Sequence, residues 1–435
     1  MKILMVNKFL YPNGGSETYL FSIGKELQAL GHEVQYFGME HEGRIVGNHA
    51  ESYTEDMSFR SGEPGEGGVA GKLRKKLSQL TYPFKIIYSL DAKRKIRRVL
   101  ADFHPDVVHL NNINFQITPS VIDEIKAFDS GIRIVYTAHD SQWVCPNHMM
   151  RIPSNGELCS RCLDGAVRWC TKNRCIHNSK AQSLLGTAEA KFYQHRKTYE
   201  KVDTIIAPSR FMKETLSHNP QLQGRIVALH NPLNPQSAEK GKKTGALEIQ
   251  NPKLRQVMEQ FAEGYVLYFG RYSEEKGIRT AVQAARELPD IPFVFAGKGE
   301  LEEEVSGVPN IRNVGFLSGE QMQQAIRGAR FTIFPSECYE NCPYSVVESE
   351  LAGVPVLGSN LGGIPELIVN GATGELFEVG NVQELTDGIR NLWSDEAKLA
   401  QYREGCRRLA EGKLELSFDT LEEYSQKLVR IYQGR

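Results

Sequence analysis

Residues 331–359, FTIFPSECYENCPYSVVESELAGVPVLGS, read as strand, helix and strand in immediate succession. FTIFPS is a short apolar run bounded by proline, YSVVESELAG carries a helical pattern, and VPVLGS is a second apolar run. That order builds a parallel sheet with helices against its faces. The same alternation continues outward in both directions. Upstream in the second half come YVLYFGR, PFVFAG and IRNVGF, and in the first half KILMVN, HEVQYFG, DVVHLNN, RIVYTAHD and VDTIIAPS. Each half has enough strands for its own doubly wound sheet. The expected fold class is therefore α/β, two Rossmann-like parallel-sheet domains facing across a crevice, where the carboxyl ends of the strands hold the ligand.

The chain has 435 residues, too many for one core and suited to two domains of about 200 each. Lys and Arg total 52 against 53 Asp and Glu, so no global field favours nucleic acid as a partner. The opening MKILMVNKFLYPNGG has an apolar part too short for a signal peptide, and nothing approaches the run of about 18 apolar residues of a membrane span. A cytoplasmic protein with reduced cysteines is expected, unless a metal takes the thiols. The prolines and the Lys/Gly-rich run of RIVALHNPLNPQSAEKGKKTG, residues 225–245, mark the break between halves. The expected division is 1–230, 231–415 and a C-terminal helical segment 416–435 that caps the second domain or crosses back to the first. ESYTEDMSFRSGEPGEGGVAG, residues 51–71, reads as a mobile loop.

No G-x-G-x-x-G follows the first strand, which disfavours a dinucleotide, and no G-x-x-x-x-G-K-[ST] is present. After the first strand, Gly14 and Gly15 permit positive-φ backbone before a helix, either as a phosphate seat at the helix start or as a plain connecting turn. GRYSEEKGI places Arg271 and Lys276 directly after a strand, between Gly270 and Gly277. Two cations there suit a diphosphate; the alternative is a solvated loop in which they pair with Glu274 and Glu275. In the opening stretch, Pro343 is expected in the first helical turn, Glu340 just before it and Glu348 one to two turns inside. The backbone N–H groups of Asn341, Cys342, Tyr344 and Ser345 then become helix-end donors that stabilise a negative leaving group.

These residues carry a resemblance. Glu340-x7-Glu348, followed by AGVPVLGSNLGGIPELI and GATGELFE, with Gly270, Arg271, Lys276 and Gly277 upstream and Gly14-Gly15 near the start, resembles the retaining glycosyltransferases of family 4, which have the GT-B fold. The likeness implies a nucleotide-sugar donor, UDP- or GDP-linked. It puts the ribose on Glu348, the transferred sugar on Glu340 and the diphosphate on Arg271 and Lys276. His139, closing IVYTAHD, is implied as a further sugar contact, and backbone around Val314-Gly315-Phe316 as the reader of the base. The usual Gly-Phe-Gly after the first glutamate is Asn341-Cys342-Pro343 here, so sugar preference does not carry over. The implied acceptor is lipid-linked or a saccharide, in bacterial surface-polysaccharide synthesis. No Asp-x-Asp occurs, so no metal is expected to be needed for transfer. A nucleotide-sugar 2-epimerase and a non-catalytic nucleotide-sugar binder are the competing readings.

Two further stretches stand apart. CPNHMMRIPSNGELCSRCLDGAVRWCTKNRC holds Cys145, Cys159, Cys162, Cys170 and Cys175. Cys159-x2-Cys162 has the spacing of half a zinc site, which Cys145 and Cys175 complete, with Cys170, His148 and His177 as substitutes; the alternative is free thiols in a local core. This region, 145–178, is read as an insertion in the first domain. Residues 72–98 hold ten Lys/Arg against one acid, with Leu, Tyr, Phe and Ile between them. That composition fits either docking on an anionic membrane surface or an ordinary solvated face.

Overall fold

A computed structural model describes residues 1–55, 86–233 and 249–435. The described residues form two six-stranded sheets, parallel throughout. The first contains β1 (Lys2–Val6), β2 (Glu33–Phe37), β3 (Val107–Leu110), β4 (Arg133–Thr137), β5 (Thr204–Ala207) and β6 (Ile226–Ala228), in the order β2-β1-β3-β4-β5-β6. The second contains β7 (Val266–Phe269), β8 (Phe293–Ala296), β9 (Ile311–Asn313), β10 (Phe331–Phe334), β11 (Val356–Ser359) and β12 (Gly374–Phe377), in the order β12-β11-β10-β7-β8-β9. Ile3 and Met5 on one face of β1, and Leu4 and Val6 on the other, are all fully buried, as a sheet covered by helices on both sides requires.

All ten strands expected from the apolar runs are present, and each sheet has one more. β6 lies inside 225–245, where the prolines had suggested only a break; it is three residues long, with two of them exposed, too short for a pattern to register. β12 occupies GELF within GATGELFE, an edge strand with only partial burial. Residues 56–71 of the polar loop, 72–85 of the basic run and 234–248 of the break lie outside the described residues.

Strand order decides where each sheet opens. In the first, the direction of winding reverses between β1 and β3; in the second, between β7 and β10. Loops leaving such adjacent strands diverge to opposite faces, and the gap at their carboxyl ends is where open α/β sheets bind ligands. Helices pack by an i, i+3, i+4, i+7 stripe, as in Ile278–Arg286, whose Ile278, Ala281, Val282 and Ala285 are buried with Phe293 and Phe295. No helix among the described residues is long and apolar enough to cross a membrane.

The chain divides into two compact units: Met1–Pro208, Met212–Leu229 and Glu422–Arg435 in one, Ser209–Phe211 and His230–Leu421 in the other. The last helix, Leu421–Tyr432, thus returns to the first unit. A continuous line of side chains ties it there. Tyr424 Oη meets Tyr19 Oη at 3.0 Å, Tyr19 meets Thr137 Oγ1 at 3.2 Å, Thr137 meets His109 Nε2 at 2.8 Å, and His109 Nδ1 meets Tyr432 Oη at 2.6 Å. Each polar group in this buried line is satisfied by the next.

Candidate functional site

The switch point of the second sheet gathers the residues singled out upstream and downstream of it. Gly277 has φ of 69°, and a methyl group on it would sit 1.8 Å from the carbonyl oxygen of Pro335, so only glycine lets the loop after β7 lie against the loop after β10. Glu337 N–H donates to Glu275 O at 2.9 Å across the same seam. The result is that Lys276 Nζ stands 2.5 Å from Glu340 Oε1, an ion pair between residues 64 positions apart. The same carboxylate oxygen accepts from Ser336 Oγ at 2.8 Å and from Cys338 Sγ at 3.7 Å. Burial works against the charge on Lys276, but Glu340, with Cys338 and Glu275, outweighs it and holds the ammonium above its ordinary pKa. Lys276 thus makes its ion pair with Glu340, while Glu274 pairs with Arg279 and Glu275 accepts from Ser273. Arg271 is exposed, and no ion pair engages it among the described residues.

The helix after Glu340 runs Tyr344–Leu351, with Pro343 at its N-cap (φ −67°, ψ 120°) rather than in its first turn. The extended ψ of Pro343 corrects the list of helix-end donors: Tyr344 and Ser345 open the helix, whereas Asn341 and Cys342 precede the cap. The Cys342 side chain is instead buried with Val346, Val347, Val356 and Ile364, and burial pushes its thiol up to about 12. No side chain caps this helix. Glu348 is its fifth residue and half-buried; two positions on, Glu350 is fully buried, accepts from Thr373 Oγ1 at 2.5 Å and is held well above the usual carboxylate range by burial.

The loop after β11 holds Glu340 from the other side. Gly363 N–H donates to Glu340 O at 2.7 Å, and a methyl group on Gly363 would come within 1.8 Å of Asn341 O. Sequence reading quoted this Gly-Gly pair only as part of the family likeness. Its position directly after an apolar run is the signal that it makes a close backbone approach. Ser336 and Cys338 were also missed. At β9, Gly315 has φ of 76° and its N–H donates to Asn313 Oδ1 at 3.0 Å, while the neighbouring Phe316 is 65% exposed.

In the first unit the Gly14-Gly15 turn differs from expectation. Gly14 is extended, with φ of −172°, and neither glycine takes a positive φ. The start of the helix Gly15–Ala29 already holds a buried carboxylate, Glu17, whose Oε1 accepts from Asn7 Nδ2 at 2.9 Å and Ser16 Oγ at 3.0 Å. His139, two residues past β4, has Nε2 2.9 Å from Asn111 Oδ1 and packs edge-on against Tyr19 at 5.1 Å. Burial lowers its pKa to about 4, so the imidazole is neutral near pH 7.

Cys145, Cys159, Cys162, Cys170 and Cys175 all line one small cavity in the first unit, together with Trp169 and Asn173. His148 and His177 do not. Among the described residues, no group of three or more His, Cys, Asp or Glu side chains is already placed to hold a metal ion. On the basic helix Leu90–Phe103, Lys93 and Arg97 both pair with Glu124, at 3.2 and 2.6 Å, and Lys95 donates to the carbonyl of Tyr53. Three of this helix's five cations make these contacts; Arg94 pairs with Asp91, and Arg98 is exposed.

Residues 13–237 match the family model described as Glycosyltransferase Family 4, and residues 252–409 match Glycosyl transferases group 1. The chain belongs to glycosyltransferase family 4. Over 143 residues this glycosyltransferase is 32% identical to the 2-deoxystreptamine N-acetyl-D-glucosaminyltransferase of Niallia circulans, covering 30% of the chain and 36% of the relative. Over 137 residues it is 31% identical to the sulfoquinovosyl transferase SQD2 of Arabidopsis thaliana, covering 30% and 26%. It spans about a quarter to two thirds of the length of the curated relatives it matches. Among solved structures, it resembles Anabaena HepE in complex with UDP (16% identity, all of both chains, TM-score 0.62) and WaaG, a glycosyltransferase involved in lipopolysaccharide biosynthesis (15%, all of both chains, TM-score 0.63). With its two six-stranded parallel sheets, the family 4 glycosyltransferase has the GT-B fold.

Proposed function

We propose that this glycosyltransferase moves a sugar from a UDP- or GDP-linked donor to a lipid-linked or saccharide acceptor with retention at the anomeric carbon. The observation that carries the reading is the Lys276–Glu340 pair at the switch point of the second sheet. A diphosphate placed there meets Lys276, Arg271 and the start of the helix at Tyr344 and Ser345. These groups offset the charge that builds on the departing phosphate oxygen, the term that counts most in such transfers. Glu340 is held at its Oε1 by Lys276, Ser336 and Cys338 and at its backbone carbonyl by the Gly363 amide. That suits a group positioning sugar hydroxyls better than a mobile nucleophile. Glu348, half-buried one turn inside the helix, is assigned the ribose, and neutral His139 a hydrogen bond to the transferred sugar.

Retention without two carboxylates flanking the bond is proposed to proceed by attack of the acceptor on the face the diphosphate leaves. The anomeric carbon–phosphate oxygen bond breaks as the new glycosidic bond forms, and the diphosphate oxygen takes the acceptor proton. No divalent metal is assigned a part in the transfer. HepE has been solved with UDP and with UDP and glucose, and a 25% identical Klebsiella pneumoniae protein is described as lying in a cps region; both support a UDP-sugar and a surface polysaccharide. A lipid-linked acceptor would bring the enzyme to an anionic membrane surface through the basic run. Incubation with UDP- and GDP-sugars tests the donor, and proton NMR of the first product tests the stereochemistry. A product of inverted configuration, or a donor sugar converted to its epimer without transfer, would overturn the reading.

A further inference from the structure

The cysteine-rich segment departs from the rest of the first unit in its backbone. Ten non-glycine residues among those described take positive φ, and five of them fall here: His148, Met150, Arg174, His177 and Asn178. Left-handed backbone of this kind persists where the surroundings over-determine it. Yet the segment has little regular structure of its own, a five-residue helix at Arg168–Lys172 being its main element. Loop hydrogen bonds such as Asn147 Nδ2 to the carbonyls of Arg151 and Cys175 hold part of it, and the five thiols converge on one cavity within it.

The cavity they line measures about 10 Å³, the space of a single water or ion. Cys145, Cys162, Cys170 and Cys175 each lie within electrostatic reach of the other three. Cys159 interacts with Cys162. None of the five is in a disulfide. Arg151 lines the same cavity, and Arg161 acts on Cys175 from nearby. Four thiols around an ion-sized hole, with guanidinium groups beside it, match the needs of a tetrathiolate metal centre, which carries two negative charges.

We infer that this cavity binds one structural zinc ion through Cys145, Cys162, Cys170 and Cys175. Uptake takes four Cys–SH and Zn²⁺ to a Zn(S–Cys)₄ centre of net charge −2, with four protons released to solvent; no oxidant or reductant is involved. Zinc–sulfur bonds of about 2.3 Å draw the four sulfurs to about 3.8 Å from one another. The ligand set revises the expectation from C-x2-C spacing, which had placed Cys159 in it with Cys170 as a substitute. His148 and His177, away from the cavity wall, take no part. The ion would staple the strained segment that begins six residues after His139.

The test is the metal content of the full chain, expressed in zinc-containing medium, purified without a polyhistidine tag and kept reduced. About one zinc per chain is expected, released by a mercurial reagent together with the four thiols. Replacement by Co²⁺ should give the charge-transfer absorption of a tetrahedral cobalt–thiolate centre. Cys162→Ser and Cys175→Ser should lose the metal, and Cys159→Ser should keep it. Wild-type protein that contains no zinc and takes up neither Zn²⁺ nor Co²⁺ overturns the proposal, and this measurement needs no variant to fold. A Cys170–Cys175 disulfide in rapidly alkylated protein also overturns it. Loss of zinc from Cys159→Ser, with retention in Cys170→Ser, overturns the ligand set.

Discussion

Lys276→Ala removes more than one cation from the proposed diphosphate site. It also strips Glu340 of its counter-ion and leaves a carboxylate facing the anionic ligand. For charges about 3 Å apart, Coulomb's law gives about 1.5 kcal/mol in water and about 5.5 kcal/mol at an effective dielectric constant of about 20. The two side chains are 29% and 15% exposed, so the pair lies between these limits, at about 2–3 kcal/mol. Lost stabilisation of the leaving group adds about 2.7–4 kcal/mol in the transition state, a fall in turnover of about 100-fold or more. The two contributions separate in a double-mutant cycle. Lys276→Ala should weaken binding of the nucleoside diphosphate, and adding Glu340→Gln should restore about 10-fold or more of it by removing the repulsion. Glu340→Gln alone should leave that affinity near wild type while lowering turnover. Calorimetric titration of UDP and GDP into the four proteins reads the cycle. If Lys276→Ala binds both nucleotides like wild type, or the double variant shows purely additive losses, the diphosphate is not held here.

Gly277→Ala forces a methyl into contact with the Pro335 carbonyl from a left-handed backbone, and should cost about 3 kcal/mol or more in urea unfolding and abolish donor hydrolysis. His109 and His139 are buried neutral, with pKa values lowered by burial to about 3 and about 4. Their depressed values mean that the unfolded chain binds more protons between about pH 6.5 and 4, so stability is complete above about 6.5 and falls as pH drops through that window, by up to about 1.4 kcal/mol per pH unit for each; urea midpoints at pH 7 and pH 5 in wild type and His109→Gln check it. Glu189, pushed up to about 8 by burial, acts in the other direction: its proton is lost as pH rises towards 8, so Glu189→Gln should stabilise the protein more at pH 8.5 than at pH 5. Arg94→Gln with Arg98→Gln, which spares the Glu124 pairs, should weaken attachment to anionic liposomes at low salt by about 2 kcal/mol if this helix docks; wild type that ignores such liposomes removes the membrane from the proposal.

Much of this molecule is legible because buried parallel strands need short apolar runs, which marked ten of the twelve strands among the described residues. β6 escaped because it is three residues long with two of them exposed, and β12 because it is only partly buried. The cations of the β7 loop and Glu340 could be singled out by residue type and by likeness. That Lys276 and Glu340 touch could not, because it follows from β7 lying beside β10, an adjacency no local pattern states. Gly14 shows the opposite failure: a glycine pair suggested left-handed backbone, but the turn is extended and Glu17 occupies the helix start. Among the thiols, spacing favoured Cys159, whereas in the folded segment Cys170 interacts electrostatically with Cys145, Cys162 and Cys175.

The return of the last helix to the first unit has a consequence for synthesis. Tyr19, Thr137 and His109 are made early, but their partners Tyr424 and Tyr432 emerge only after all of His230–Leu421. At about 5–20 residues per second, the amino-terminal sheet waits roughly 10–40 s with these polar groups uncovered on the ribosome. During that time the second unit can close first, since its sequence is continuous apart from Ser209–Phe211. The half of the protein that is translated first is thus the half that finishes last, and a ribosome stalled within the final helix would release a chain whose defect lies near its beginning.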